Sequence, residues 1–226
     1  MDNTNAKQYL LGSQDKLLKH LQQVVKSHSF NYRTFGTEIE EFVTAKLIEI
    51  FTEGGFIKSK TDYKIAENKN VFPDFILEST TPPLAIEIKS GNHSKKDKGK
   101  WSLCTNSNND MGTLNMWAEK LQKFGGENIS YIFIEYNFND REKKIIDVKI
   151  APFYRFLGLG KEGTLKYREK DGNLRPKGFN EPSPITSLNE FKGLLSKTII
   201  FRSKRIAKKH LLKIPQEERK KVLEEL

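Results

Sequence analysis

The 226-residue chain carries 39 Lys and Arg against 29 Asp and Glu, a net charge of +10, and its 15 Phe, 7 Tyr and 2 Trp supply the large side chains that a packed core needs. One cysteine, Cys104, excludes an internal disulfide and a multi-cysteine zinc site, and the 4 histidines show no metal-ligand spacing. No apolar run approaches the roughly 18 residues of a membrane span, and the N-terminus has no charged-then-apolar leader, so an intracellular protein with no membrane partner is expected.

Leu17, Leu18, Leu21, Val24 and Val25 fall on one stripe of an amphipathic helix. A second helix is predicted after Gly36, with Thr37-x-x-Glu40 as its capping box, Ile39, Val43, Leu47 and Ile50 as its buried face, and Gly54-Gly55 as its stop. β-prone segments follow at about 57–65, 72–78 and 84–90, with Pro82-Pro83 turning between the last two. A polar stretch from Asn92 to Asn108 leads to a helix over Thr113–Phe124, which Gly125-Gly126 ends, and strands are expected around 129–136 and 145–150. Residues Thr164–Phe179, around an Asp171-Gly172 turn signal, read as an exposed basic hairpin or loop. Ser187-x-x-Glu190 starts another helix, and Pro215 separates the last one. Helices alternating with strands give an α/β (α+β) class: a central mixed sheet of about five strands flanked by helices. One domain over 1–226 is expected, with N-terminal helices in 1–53, the sheet in 56–150 and a basic C-terminal region in 151–226.

The positive charge is clustered. From Phe191 to Gln216 there is no acidic residue, while Lys192, Lys197, Arg202, Lys204, Arg205, Lys208, Lys209 and Lys213 contribute +8. Lys89, Lys95, Lys96, Lys98 and Lys100 form a second group diluted by Asp97, and Lys166–Lys177 holds a third. Three such clusters point to a polyanion, nucleic acid above all, bound through phosphate contacts and counterion release.

The chemistry sits in FPDFILESTTPPLAIEIK, residues 72–89. Side chains alternate along the strand Leu84–Ser90, so Glu87 and Lys89 project to one side and Ile86 and Ile88 to the other. A preceding strand introduced by Pro73-Asp74 brings Asp74 against the same end. Two carboxylates and an ammonium then converge at a sheet edge, the oxygen-rich environment that Mg²⁺ takes together with water and a substrate phosphate. A metal there polarises the phosphoryl oxygen and acidifies a bound water, and the lysine positions that water or stabilises developing charge. Acid-x-Lys pairs recur at Glu67/Lys69, Glu142/Lys144, Glu218/Lys220, Asp62/Lys64 and Asp147/Lys149, so the spacing alone has little weight. Glu87/Lys89 stands apart because its strand is apolar and alternating and follows a Pro-Asp-aromatic strand. Asp147/Lys149, also on a strand-like segment, lacks that upstream partner.

Pro73-Asp74, twelve intervening residues and Glu87-Ile88-Lys89 resemble the signature of the PD-(D/E)xK nuclease superfamily, and the segment most resembles type II restriction endonucleases of the EcoRV and PvuII kind. The resemblance covers about 20 residues sharply and the preceding helix loosely. It implies a mixed sheet flanked by helices, a homodimer on duplex DNA, and Mg²⁺-dependent cleavage of both strands at a palindromic site, leaving 5′-phosphate and 3′-hydroxyl ends. It implies a cytoplasmic location of the bacterial type and no organic cofactor. By the same resemblance Asp74 and Glu87 are metal ligands, the Ile88 carbonyl is a further one, and Lys89 positions the attacking water. The family often adds an acid on the helix before this hairpin, and Gly36, Glu40, Val43 and Leu47 fit that spacing, with Glu38 and Glu41 as competitors and helix capping as the plainer role of Glu40.

For DNA contacts, Lys95, Lys96, Lys98 and Lys100 suit phosphates, and Asn106, Asn108, Asn109 and Thr113 are of the kind that reaches base edges. Arg168 and Arg175 in the basic hairpin, and Arg202, Lys204 and Arg205 further on, form further surfaces. Trp101 and Trp117 read as packing residues and Cys104 as a small buried side chain. The N-terminal helix or the Leu188–Leu195 helix is expected to supply the dimer contact. Two other readings stay open: a structure-directed repair or recombination nuclease with the same site, and a non-catalytic DNA-binding protein whose acids and lysine are structural.

Overall fold

A computed structural model describes residues 1–31, 34–68, 71–92, 110–138, 143–178, 180–216, 218, 219 and 221. Lys95, Lys96, Lys98, Lys100, Asn106, Asn108 and Asn109, with Trp101 and Cys104, lie outside the described residues.

Three helices come first: α1 (Asn3–Gly12), α2 (Gln14–Ser27) and α3 (Phe35–Glu53). The α2 stripe is as expected, with Leu17, Leu21, Val24 and Val25 buried. Helix α1 went unpredicted because its buried set, Asn3, Ala6 and Leu10, is too small and too polar to make an apolar pattern. Helix α3 starts before the expected cap. Phe35 and Gly36 are already helical and buried, so Thr37 and Glu40 stand inside the helix and form no capping box. Glu38 takes over at the start of the helix instead, accepting from the Thr34 hydroxyl and, at 3.4 Å, from the Asn31 amide.

Strands β1 (Tyr63–Ile65), β2 (Phe75–Leu77), β3 (Leu84–Asn92), β4 (Ile129–Phe138) and β5 (Lys143–Pro152) form one sheet in the order β1-β2-β3-β4-β5. All neighbours are antiparallel except β3 and β4, which run parallel and therefore need a crossover. Helix α4 (Leu114–Phe124) lies on that crossover, its N-terminus closed by the Thr113 hydroxyl and its end by Gly125 at φ 64°. The expected strand at 57–65 begins only at Tyr63. Before it, Ser59 and Asp62 cap a 3-10 turn at Lys60–Asp62, with Asp62 accepting from the Lys58 and Ser59 amides at 2.7 and 2.8 Å.

The sheet has a core on each face, as expected for an α+β protein. Phe75, Leu77, Ile86, Ile88, Ile132 and Ile134 pack against α1, α2 and α3. Ala85, Tyr131 and Phe133 pack on the other side with Trp117 of α4, Phe153 and helix α5 (Leu188–Leu211). Trp117 stacks on Phe153 at 4.2 Å between ring centroids and meets Phe191 edge-on at 5.4 Å. In the Leu188–Leu195 stretch of α5, Phe191 is fully buried and Leu195 nearly so, while Leu188 and Leu194 are half-buried.

The Thr164–Phe179 segment forms a hairpin, one of the two forms expected, though part of it is buried rather than exposed. Lys166 and Arg175, and Arg168 and Asn173, share backbone hydrogen bonds around Gly172 at φ 75°, while Leu165 and Leu174 are fully buried. No helix among the described residues is long and apolar enough to cross a membrane.

Candidate active site

Strand alternation decides which side of the sheet bears the chemistry. Ile86 and Ile88 point into the α1–α3 core, so Glu87 and Lys89 point to the α4 side, in register with Tyr131 and Phe133 of β4. Short strand β2 pairs Phe75 with Ile86, which leaves Asp74, one residue earlier, beside the middle of β3. Asp74 Oδ2 accepts the Ile88 amide at 2.6 Å. Lys89 Nζ donates to Glu87 Oε1 at 2.5 Å, and both side chains are largely buried. The structure thus brings Asp74, Glu87 and Lys89 together around Ile88. Backbone N–H and C=O of one extended residue face the same neighbour, so the Ile88 carbonyl lies on the edge that Asp74 occupies.

Glu40 enters from α3. It faces Asp74 across a cleft of about 410 Å³ lined also by Thr37, Thr44, Ile48, Ile65 and Asn68. Of its competitors, Glu38 is tied to Thr34 and Asn31, and Glu41 lines the same cleft but is exposed, whereas Glu40 is half-buried.

These groups shape one another's charge. Burial, then repulsion from Asp74, pushes the Glu40 carboxyl up to about 7, against the pull of Lys89. Burial and the neighbouring Glu87 raise Asp74 to about 6, although Lys89 and the Ile88 amide favour its anion. Burial disfavours the Lys89 ammonium, yet Glu87, Asp74 and Glu40 together hold its pKa above the ordinary value. Three acids crowded this closely leave anionic character that the protein's own donors only partly satisfy. Glu87 Oε2 shows this most directly, being buried with no hydrogen-bond partner. An orphaned buried acceptor is costly, and more so when charged.

That donor set fits a hard cation. Asp74 and Glu87 supply two carboxylates, the number from which Mg²⁺ is commonly held alongside waters and substrate phosphate. Among the described residues no group of three or more His, Cys, Asp or Glu is gathered as a metal cluster, so Glu40 does not complete a three-acid cage.

Two residues escaped the sequence reading. Lys120 of α4 is 7% exposed, with its Nζ 3.6 Å from the Phe72 ring centroid. Burial lowers its amine to about 8, while Glu87 and Asp74 partly restore it. The available signal was a lysine on the stripe of Trp117 and Phe124, where an apolar residue belongs. Tyr131, beside Glu87 on the same face, keeps a buried hydroxyl without a hydrogen-bond partner; burial and the Glu87 and Asp74 charges push its pKa well up.

The rival pair lies elsewhere. Asp147 accepts the Val148 amide and Lys149 donates to Asn180, on edge strand β5. Of the expected DNA readers, Thr113 caps α4. Arg168 bridges Asp110 at 2.7 Å and grips Asp171 with two bonds of 3.0 Å, and Arg175 bridges Asp110 as well. Arg205 pairs with Glu169 at 2.6 Å, and Arg202 lies against the Gly172 turn. Lys204, Lys208 and Lys209 are exposed on α5 and pair with no carboxylate among the described residues.

No protein-family model matches the chain, and no curated protein matches it. Among solved structures it is similar to the NlaIV restriction endonuclease, at a TM-score of 0.55 and 15% identity over 76% of this chain. The chain spans 66% of that neighbour's length, just under two thirds. At that identity the likeness concerns the backbone, and it shows that the chain has a restriction-endonuclease-like fold.

Proposed function

We propose that the protein is a Mg²⁺-dependent type II restriction endonuclease, of the EcoRV and PvuII kind, that cleaves both strands of duplex DNA at a palindromic site as a homodimer. One observation carries the reading: Asp74, anchored on the Ile88 amide, stands beside a buried Glu87–Lys89 pair whose outer carboxylate oxygen has no partner. The fold of a restriction endonuclease and the exposed lysines of α5 support it.

In this reading Asp74, Glu87 and the Ile88 carbonyl hold the metal, which when bound supplies Lewis acidity toward a phosphoryl oxygen and acidifies a coordinated water. Lys89, kept protonated by its carboxylate neighbours, orients the attacking water and faces the developing negative charge. Glu40, whose pKa of about 7 lies near working pH, suits proton acceptance from that water across the cleft. The water oxygen bonds to phosphorus, the P–O3′ bond breaks, and the departing O3′ takes up a proton, leaving 5′-phosphate and 3′-hydroxyl ends. Two-fold DNA symmetry is most simply matched by a two-fold dimer.

The test is digestion of a sequenced plasmid with Mg²⁺ by wild type and by the Asp74→Ala, Lys89→Ala and Asp147→Ala variants. Discrete fragments are expected from wild type and Asp147→Ala, and intact DNA from the other two. Cutting confined to junctions or mismatches would mark a structure-directed nuclease instead. Binding without cutting under any divalent ion would leave only a DNA-binding protein.

A further inference from the structure

The face of β3 that bears Glu87 and Lys89 looks toward α4, and α4 returns a second ammonium toward it. Lys120 follows Trp117 by one turn and precedes Phe124 by another, on the side of the helix that is buried. Its Nζ is held between aromatic faces, 3.6 Å from the centroid of Phe72 and 4.9 Å from that of Trp117. Backbone approaches it as well. Gly112, at φ 91°, comes so close that a Cβ there would lie 3.0 Å from Nζ. The Trp117 indole fixes this backbone by donating to the Met111 carbonyl at 3.0 Å.

Three features set this lysine apart from a packing residue. Methionine or leucine would cover Phe72 and Trp117 without the desolvation of a charge, which is costly when unpaired. Among the described residues Lys120 forms no ion pair, and the charges that act on it are those of the motif, Glu87 and Asp74 favouring its ammonium and Lys89 opposing it. Its amine, at about 8, remains mostly charged at neutral pH. Phe72 is also the residue two before Asp74, so the ammonium lies against the segment that delivers the site's first acid.

We propose that Lys120 is a second substrate-contacting cation of this site, donating a hydrogen bond to a non-bridging oxygen of the phosphate under attack. The contact strengthens as charge builds on that oxygen, and Lys120 keeps its proton throughout. The role differs from that of Lys89, whose ammonium is bound to Glu87. The inference rests on the nuclease reading above and adds a catalytic residue from outside the motif.

Single-turnover cleavage at the mapped site tests it, comparing wild type, Lys89→Ala, Lys120→Met and Lys120→Gln on duplexes carrying oxygen or either phosphorothioate diastereomer at the cleaved phosphate. Lys120→Met is expected to cut about 100-fold more slowly, the scale for loss of one preorganised donor. One diastereomer should lose its extra slowing in the variant, because the contact that sulfur weakens is already gone. A structural defect would slow all three substrates alike. Lys120→Gln repeats the comparison if Lys120→Met loses its melting transition. Wild-type rates in the Lys120 variants, or unchanged thio-effects, would overturn the inference; with Lys89→Ala inert, the nuclease reading would stand. A wild type that cuts no duplex would remove both.

Discussion

Replacing Glu40 with Gln should stabilise the metal-free protein, and by an amount that depends on pH. The carboxyl rises from an ordinary 4.5 to about 7 through burial and the proximity of Asp74, so the folded protein binds its proton more tightly than the unfolded chain does. At about 1.4 kcal/mol per tenfold change in proton affinity, that rise corresponds to at most about 3.5 kcal/mol. The sign follows from linkage. Below the unfolded value of 4.5 the acid is neutral in both states and costs nothing. Between 4.5 and about 7 the unfolded chain gives up its proton while the folded state keeps it, so stability falls across that window and stays at the lower level above it. Glutamine keeps the shape without the charge. Urea unfolding followed by circular dichroism, with EDTA present, should show Glu40→Gln more stable than wild type by roughly 2–3 kcal/mol at pH 8 and equal to it at pH 4. For a chain of this size the pH 8 gain corresponds to about 4–12 °C in melting temperature. Glu41→Gln, exposed on the same helix, should change stability by less than about 0.5 kcal/mol at either pH. An equal gain at both pH values, or a loss at pH 8, would refute the placement of Glu40 in the acid cluster.

Added Mg²⁺ should stabilise wild type, by about 2.7 kcal/mol at 100 times its dissociation constant, and should leave Asp74→Asn and Glu87→Gln unmoved in the same urea titrations. Removing Lys204 and Lys208 together should lower the slope of log affinity against log salt for duplex DNA by about 1.8 in fluorescence anisotropy, whereas Arg175→Met, whose arginine is paired with Asp110, should leave that slope unchanged. Trp117→Ala should cost about 3–5 kcal/mol in unfolding free energy, because it empties a fully buried site stacked on Phe153 and frees the Met111 carbonyl.

The residues that declared themselves in the sequence are those whose pattern is local. The strand alternation of Glu87 and Lys89 around Ile88, the Pro73-Asp74 entry to β2 and the Leu17–Val25 stripe each repeat with the period of their own element. What stayed hidden depends on residues far apart in the chain. Asp110 neutralises Arg175 across a separation of 65 residues, so an arginine that reads as free positive charge is already paired. The Thr37–Glu40 spacing matches a capping box, but burial of Phe35 and Gly36 starts α3 earlier and frees Glu40 for the cleft. Lys120 had a local signal of the opposite sign, a charge where the helix period calls for an apolar side chain. Such a mismatch between pattern and residue is where a functional position is expected to show.

The paired arginines still bear on the site. Arg205 of α5 holds Glu169, and Arg168, one residue before it, holds Asp171 and Asp110. Arg175 closes on the same Asp110. The next residue, Met111, accepts from the Trp117 indole and shares a backbone hydrogen bond with Leu174, and Gly112 follows beside the Lys120 ammonium. A continuous set of charged and backbone contacts therefore runs from the basic helix through the hairpin to the backbone beside the Lys120 ammonium. Arg168, Arg175 and Arg205 are thus tied into ion pairs, and Lys204, Lys208 and Lys209 of α5 stay exposed. Positive charge near the site is thus bound in pairs or set against aromatic rings, and the Glu87 Oε2 oxygen is left as a buried acceptor without a partner beside Asp74.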